Sequence, residues 1–221
     1  MKRKVGFTAA LLATLIAFSV SAKAEVYTAP VLLTPGAEVN PPVAPPANAN
    51  GGLLVTINVT RDASGNLTAA TIAFIGLVFI PGATNVTGLH IHEGDIVSNG
   101  PVRFDSGISG GSPLALNNGT ALINHTVANV DLTVLARLLA KPAGFYVNVH
   151  TNVNPAGAIR GQLIKLTETL SNTVAMTTAQ EVDPPVALPA NASGSGAITA
   201  NLVRNPATGQ ITGGAVTFTV H

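Results

Sequence analysis

The chain has 221 residues, 11 Lys+Arg against 10 Asp+Glu, only 10% charged residues, and neither cysteine nor tryptophan. No disulfide framework, thiol chemistry or cysteine-bound metal is open to it, and the absence of a basic patch or stripe in the body of the chain excludes the electrostatic footprint of a nucleic-acid binder. Gly, Ala, Val, Thr, Asn and Pro dominate, a composition that favours short strands joined by turns over long helices.

Residues 1–24 have the layout of a secretory signal. Lys2, Arg3 and Lys4 supply a positive start, residues 5–20 form an apolar run short for a membrane span, and Ala22-Lys23-Ala24 is a small-x-small cleavage site. The expected mature chain begins at Glu25, is exported to the periplasm or the extracellular space, and keeps no membrane anchor. Four basic residues leave with the signal and no acidic ones do, so seven basic and ten acidic residues remain, a net charge of −3.

In the mature chain, residues 53–60 alternate as a strand and run into Arg61-Asp62-Ala63-Ser64-Gly65-Asn66, a hairpin-type turn. Strands are predicted at 67–75, 86–92, 102–105, 120–127, 145–150 and 158–165. Turns or loops fall at Pro81-Gly82, 95–101, 107–113 and 152–157. One helix is predicted at 131–140. Asp131 caps it, Leu132, Leu135 and Leu139 share a face, and Pro142 and Gly144 end it. Strands at this spacing predict an all-β fold, an antiparallel sandwich or barrel with one short helix.

The chemistry-bearing residues gather in two of these strands. Gly88-Leu89-His90-Ile91-His92-Glu93-Gly94 places His90 and His92 on one face, and Tyr146-Val147-Asn148-Val149-His150-Thr151 places Tyr146, Asn148 and His150 on one face. If the two strands are neighbours, three imidazoles converge, a donor set suited to copper or zinc. Glu93 or Asp95 then stands near enough in sequence to orient a ring. The alternative is a buried polar network in which the rings bond to Glu93, Asn148 or backbone carbonyls and pin the strands together. His125 is either a fourth ligand or, flanked by Asn124 and Thr126, a residue of the exposed face of its strand. Arg160 either binds a carboxylate ligand or pairs with Glu93 or Asp105. No Ser-His-Asp or Cys-His set, phosphate-binding glycine loop or paired-carboxylate site can be placed, so no enzymatic activity is expected.

An internal repeat is also present. The segment from Glu38 through Pro41-Pro42 to Ala49 returns from Glu181 through Pro184-Pro185 to Ala192, an offset of 143 residues that holds through Arg61 and Arg204. One inserted residue then shifts the offset to 144, and Phe74 matches Phe218. A period this long means tandem domains rather than a solenoid. Glu38, recurring as Glu181, is read as part of an edge segment fixed by Pro41 and Pro42. The second copy has no counterpart of His90, His92 or His150, and His221 falls opposite Leu77. The expected organisation is a signal at 1–24, one domain at 25–168, and a linker with a truncated second copy at 169–221. Its strands add to the first domain, pair with another chain, or stay disordered.

The two histidine motifs, Asn99-Gly100-Pro101-Val102 between them, and Gly157-Ala158-Ile159-Arg160-Gly161-Gln162-Leu163 after them resemble the CHRD domain. That domain is named for chordin, the extracellular antagonist of bone morphogenetic proteins, and also occurs in exported microbial proteins. The resemblance covers residues 25–166 and the start of a second copy from Asn172. It implies an immunoglobulin-like β-sandwich or barrel, repeated in tandem outside the cytoplasm. The function it leaves open is a non-enzymatic binding or structural module, its partner an extracellular protein or polysaccharide. Chordin's growth-factor binding is not carried over. The Gly-x-His-x-His segment also resembles copper–zinc superoxide dismutase, in which both histidines of such a strand bind copper and a later strand supplies another, as His150 would here. The chain departs from that enzyme in lacking a bridging histidine, a zinc-site cluster after Val102 and the disulfide, so dismutase activity is not expected.

Overall fold

A computed structural model describes residues 23–164, 166–178, 186, 189, 192–205 and 210–220. Residues 1–22 of the expected signal, and His221, lie outside the described residues. In chain order the elements are β1 (Lys23–Leu33), β2 (Asn50–Arg61), β3 (Leu67–Phe79), β4 (Asn85–Glu93), β5 (Val102–Asp105), β6 (Leu114–Ala115), β7 (Thr120–Ala128), α1 (Leu132–Ala140), β8 (Phe145–Thr151), β9 (Ile159–Gln162), β10 (Thr167–Thr177), β11 (Ser193–Arg204) and β12 (Ile211–Val220). They form two antiparallel sheets. One has the order β12-β11-β10-β1-β2-β3-β7, the other β5-β4-β8-β9 with β6 paired to β4. The sheets do not close into a barrel, and the protein is an all-β sandwich with one α-helix among the described residues.

Period-two alternation dictates which face each strand buries. Val31, Val55, Ile57 and Phe74 from the first sheet meet Leu89, Ile91, Val147 and Val149 from the second, all essentially inaccessible. Helix α1 closes one end of this core. The Asp131 carboxylate accepts from the amides of Thr133 and Val134 at its start. Leu135 and Leu138 are fully buried, each contributing about 1.5–3 kcal/mol.

Strand β1 is absent from the sequence-based expectation, because it begins inside the signal-like segment and carries Pro30. The register explains the proline. β1 pairs with β2 along its whole length but with β10 only over Glu25–Thr28. Pro30 therefore lies where the ladder to β10 has ended, and its missing N–H leaves no gap. Expected cleavage after Ala24 would remove only the pairs made by Lys23 and Ala24. Strand β9 is shorter than expected, and it crosses close to β1. A Cβ on Gly161 would stand 2.3 Å from the Leu32 carbonyl oxygen. Gly161→Ala should therefore destabilise the fold by about 1–3 kcal/mol, read as a lower urea midpoint with an unchanged slope.

Strands β10, β11 and β12 reproduce the register of β1, β2 and β3. Val55 pairs with Ala29 and Phe74, and Ile57 with Tyr27 and Ile72. In the later set Ile198 pairs with Asn172 and Phe218, and Ala200 with Leu170 and Val216. The two sets meet at the β1–β10 ladder about a pseudo-two-fold axis, where Val26 faces Thr169, Glu25 faces Leu170 and Tyr27 faces Glu168. Buried Glu25 accepts from Arg61 Nε at 2.8 Å, and buried Glu168 from Arg204 Nε at 2.6 Å. The Tyr27 hydroxyl lies between them, 2.9 Å from Glu25 Oε2 and 3.1 Å from Glu168 Oε1. Burial raises the Tyr27 phenol well above its ordinary pKa, so it stays a donor to these two carboxylates.

Candidate metal centre

The register between β4 and β8 assembles the site. Gly88 pairs with His150, His90 with Asn148, and His92 with Tyr146. Leu89 and Ile91 point into the core, so the even-numbered residues project from the opposite face of the second sheet. Segments 34–49 and 94–100 lie against that face, and His92 and His150 are buried beneath them. The ring centroids of His90 and His150 are 4.9 Å apart. Those of His90 and His92, and of His92 and His150, are each 5.6 Å apart. One nitrogen from each ring lies within 4.8 Å of one from each of the others.

The hydrogen bonds assign the tautomers. His92 Nδ1 stands 2.9 Å from the Gly100 carbonyl oxygen and His150 Nδ1 3.0 Å from that of Pro155. A carbonyl only accepts, so both Nδ1 atoms carry the proton and both Nε2 atoms keep their lone pairs. Among the described residues His90 makes no ring hydrogen bond; its Nε2 stands 3.6 Å from Asp105 Oδ1 and its Nδ1 faces inward. Those three atoms, His90 Nδ1, His92 Nε2 and His150 Nε2, are buried without a hydrogen-bond partner. Burial depresses all three imidazole pKa values. For His150 the value falls to about 4, the neighbouring His90 adding to the effect. The rings are neutral near pH 7, as ligands must be.

Outside the imidazoles is a stacked support. The Tyr146 ring stacks on His92 at 4.9 Å and 9°, and the Arg160 guanidinium lies 3.4 Å from the Tyr146 centroid. Arg160, 1% exposed, donates to the carbonyls of Asp95 and Ser98 at 2.5 and 3.0 Å and to Asn99 Oδ1 at 3.1 Å. The Gly100 amide donates to the Tyr146 hydroxyl at 3.2 Å. Arg160 thus fixes the loop whose Gly100 carbonyl holds His92. Gly88 leaves the space the rings occupy, since a Cβ there would lie 2.8 Å from His90 Cε1 and 3.2 Å from His150 Cδ2. Gly88→Ala should keep the circular-dichroism spectrum. It should displace the His90 and His150 rings, read as shifted imidazole resonances in the NMR spectrum.

Several expected partnerships are made differently. Glu93 orients no imidazole. Strand alternation turns it to the opposite side from His92, where it accepts from Arg103 at 2.7 Å and Arg137 at 2.9 Å. Arg160 pairs with neither Glu93 nor Asp105, and Asp95 serves it through the backbone carbonyl, its carboxylate being taken by Ser98 and the Val97 amide. His125 is not on the exposed face. It follows buried Ala121 and Ile123 in alternation, half-buried on β7 of the other sheet, and is no part of the three-imidazole cluster. Asn148 is buried and donates to Glu38 Oε2 at 3.3 Å. Glu38, raised to about 7 by burial, and the carbonyls of Gly100 and Pro155 are site neighbours the sequence reading missed. The recurrence of Glu38 beside its prolines was the one available signal.

A two-sheet β-sandwich bearing converging histidines on the outer face of its second sheet is the class that fold and site define. The family profile of the CHRD domain matches residues 29–163, which hold every residue of the cluster, and the chain belongs to the CHRD domain family. Comparison with curated proteins and with solved structures gives no match.

Proposed function

We propose that this chain is an exported, non-enzymatic metal-binding module that holds one copper or zinc ion through His90 Nδ1, His92 Nε2 and His150 Nε2. The observation that carries the reading is the convergence of three buried, neutral, unpartnered ring nitrogens whose opposite nitrogens are mostly tied to carbonyls. Unpaired buried polar atoms cost free energy, and three on one centre, two of them fixed as acceptors, call for a shared electrophile. Metal–nitrogen bonds of about 2.0–2.1 Å place ligand nitrogens about 3.3 Å apart, inside the 4.8 Å within which one nitrogen of each ring already lies. Copper(II) should bind more tightly than zinc, following the general order of divalent affinities. The remaining position is left to water or an external ligand. Export is supported by the signal-like layout of residues 1–24.

Elemental analysis of protein purified without chelator or affinity metal tests this. Near one equivalent of copper or zinc, lost in the His90→Ala/His92→Ala variant with the fold retained, is the expected result. Metal far below one equivalent after reconstitution would refute it. The histidines would then be a network pinning β4 to β8, and an extracellular protein or polysaccharide would be the ligand to seek.

A further inference from the structure

Two buried acceptors beside the imidazoles, Asn148 Oδ1 and Glu38 Oε1, have no hydrogen-bond partner, and an ion on the three ring nitrogens would satisfy neither. Strand register places Asn148 next to the cluster. It lies directly opposite His90 and two residues before His150 on the same face, spacings of about 5 and 7 Å. Its Nδ2 donates to Glu38 Oε2 at 3.3 Å, so amide and carboxyl form one unit. Gly157 makes room for that unit, since a Cβ there would lie 2.6 Å from Glu38 Oε2 and 2.8 Å from Asn148 Nδ2. The same turn carries Pro155, whose carbonyl holds His150.

Buried acceptors require hydrogens. A second cation would be repelled by the first. A bare anion brings no hydrogen and would meet two oxygens, one of them a carboxylate's. Water matches in both respects. A lone pair can face the ion, and two hydrogens answer two acceptors.

We infer that Asn148 and Glu38 set the ligand specificity of the centre: they accept the two hydrogens of a water molecule at the ion's remaining position and turn away anions that carry none. The inference rests on the metal centre proposed above.

The test uses the whole chain loaded with copper(II) in deuterated buffer at about pH 8, above the value of about 7 to which burial raises Glu38. Pulsed electron paramagnetic resonance should show imidazole nitrogens together with the exchangeable deuterons of a bound water. Azide, an anion without hydrogens, is then titrated by visible absorption. It should bind Asn148→Leu about tenfold more tightly than the parent, and this substitution changes no charge. A copper signal without imidazole nitrogens would refute the metal centre and the inference with it. Imidazole nitrogens without water deuterons would overturn the inference alone, as would equal azide affinities. Should Asn148→Leu fail to fold, the deuteron signal of the unmodified protein decides.

Discussion

With Glu38 replaced by glutamine, metal-free protein should lose roughly 3 kcal/mol of stability as the pH falls from 6.5 to about 4, through His150 alone. The unfolded chain protonates this imidazole near 6.5, while the folded chain resists until about 4 because the ring is desolvated. Between those values the unfolded state binds more protons, so stability rises with pH. A shift of this size at 1.36 kcal/mol per unit gives the stated figure, good only to its order of magnitude. His90 and His92 act in the same direction. Glu38 opposes them. Its folded pKa is raised from 4.5 to about 7, so its contribution is present below 4.5 and is lost as the pH rises through 7. In the unmodified chain Glu38 and His150 nearly cancel, so Glu38→Gln should uncover the loss on acidification. Urea denaturation of the chelated protein across this range measures both effects. A profile flat between pH 6.5 and 4 in the Glu38→Gln variant would show that the rings are not held neutral, and the reading of free ligand nitrogens would fall with it.

Arg160→Met should cost about 3–5 kcal/mol and lower the melting temperature by roughly 10 °C. The guanidinium is buried, and it is the hub joining β9, the Tyr146 ring and the 94–100 loop. Methionine fills much of the volume but leaves the acceptors on Asp95, Ser98 and Asn99 short of a donor. Arg160→Lys should recover less than half of the loss, because one ammonium cannot reproduce a planar fork bonded to three groups and stacked on a ring. Under the proposed function, metal affinity should fall in both variants, since the loop carries the Gly100 carbonyl that orients His92. Thermal denaturation and metal titration read the two effects separately. A loss of stability under about 1 kcal/mol would mean that the loop is held by its other contacts, chiefly Gln162 to the Gly94 carbonyl.

The strands that carry the imidazoles were legible in the sequence because period-two alternation states which residues share a face. His90, His92, Asn148 and His150 needed only the β4–β8 adjacency to become a cluster. The partners were not legible, because they depend on strand ends and loops. Glu93 sits one residue past His92, and that single step sends it to the two arginines. Asp105 reaches His90 because β5 pairs with β4 in a register set by a bulge between Ile91 and His92. The two carbonyls that fix the tautomers belong to residues whose side chains carry no signal, one a glycine and one a proline. β1 was hidden by its position against the signal-like segment. The polar neighbours of His125 mark no exposed face, because its side is decided by Ile123 and Ala121, two and four positions earlier.

The three rings also have a temporal consequence. His90 and His92 are neighbours in any extended chain, but His150 reaches them only after β4 and β8 have found each other across the intervening strands and α1. The unfolded polypeptide thus offers a two-toothed grip and the native one a three-toothed grip. A bound ion would do little to hasten folding, because the full grip appears only with the finished ladder. It would instead act as a rivet through the two strands, and its main kinetic effect would be to slow their separation.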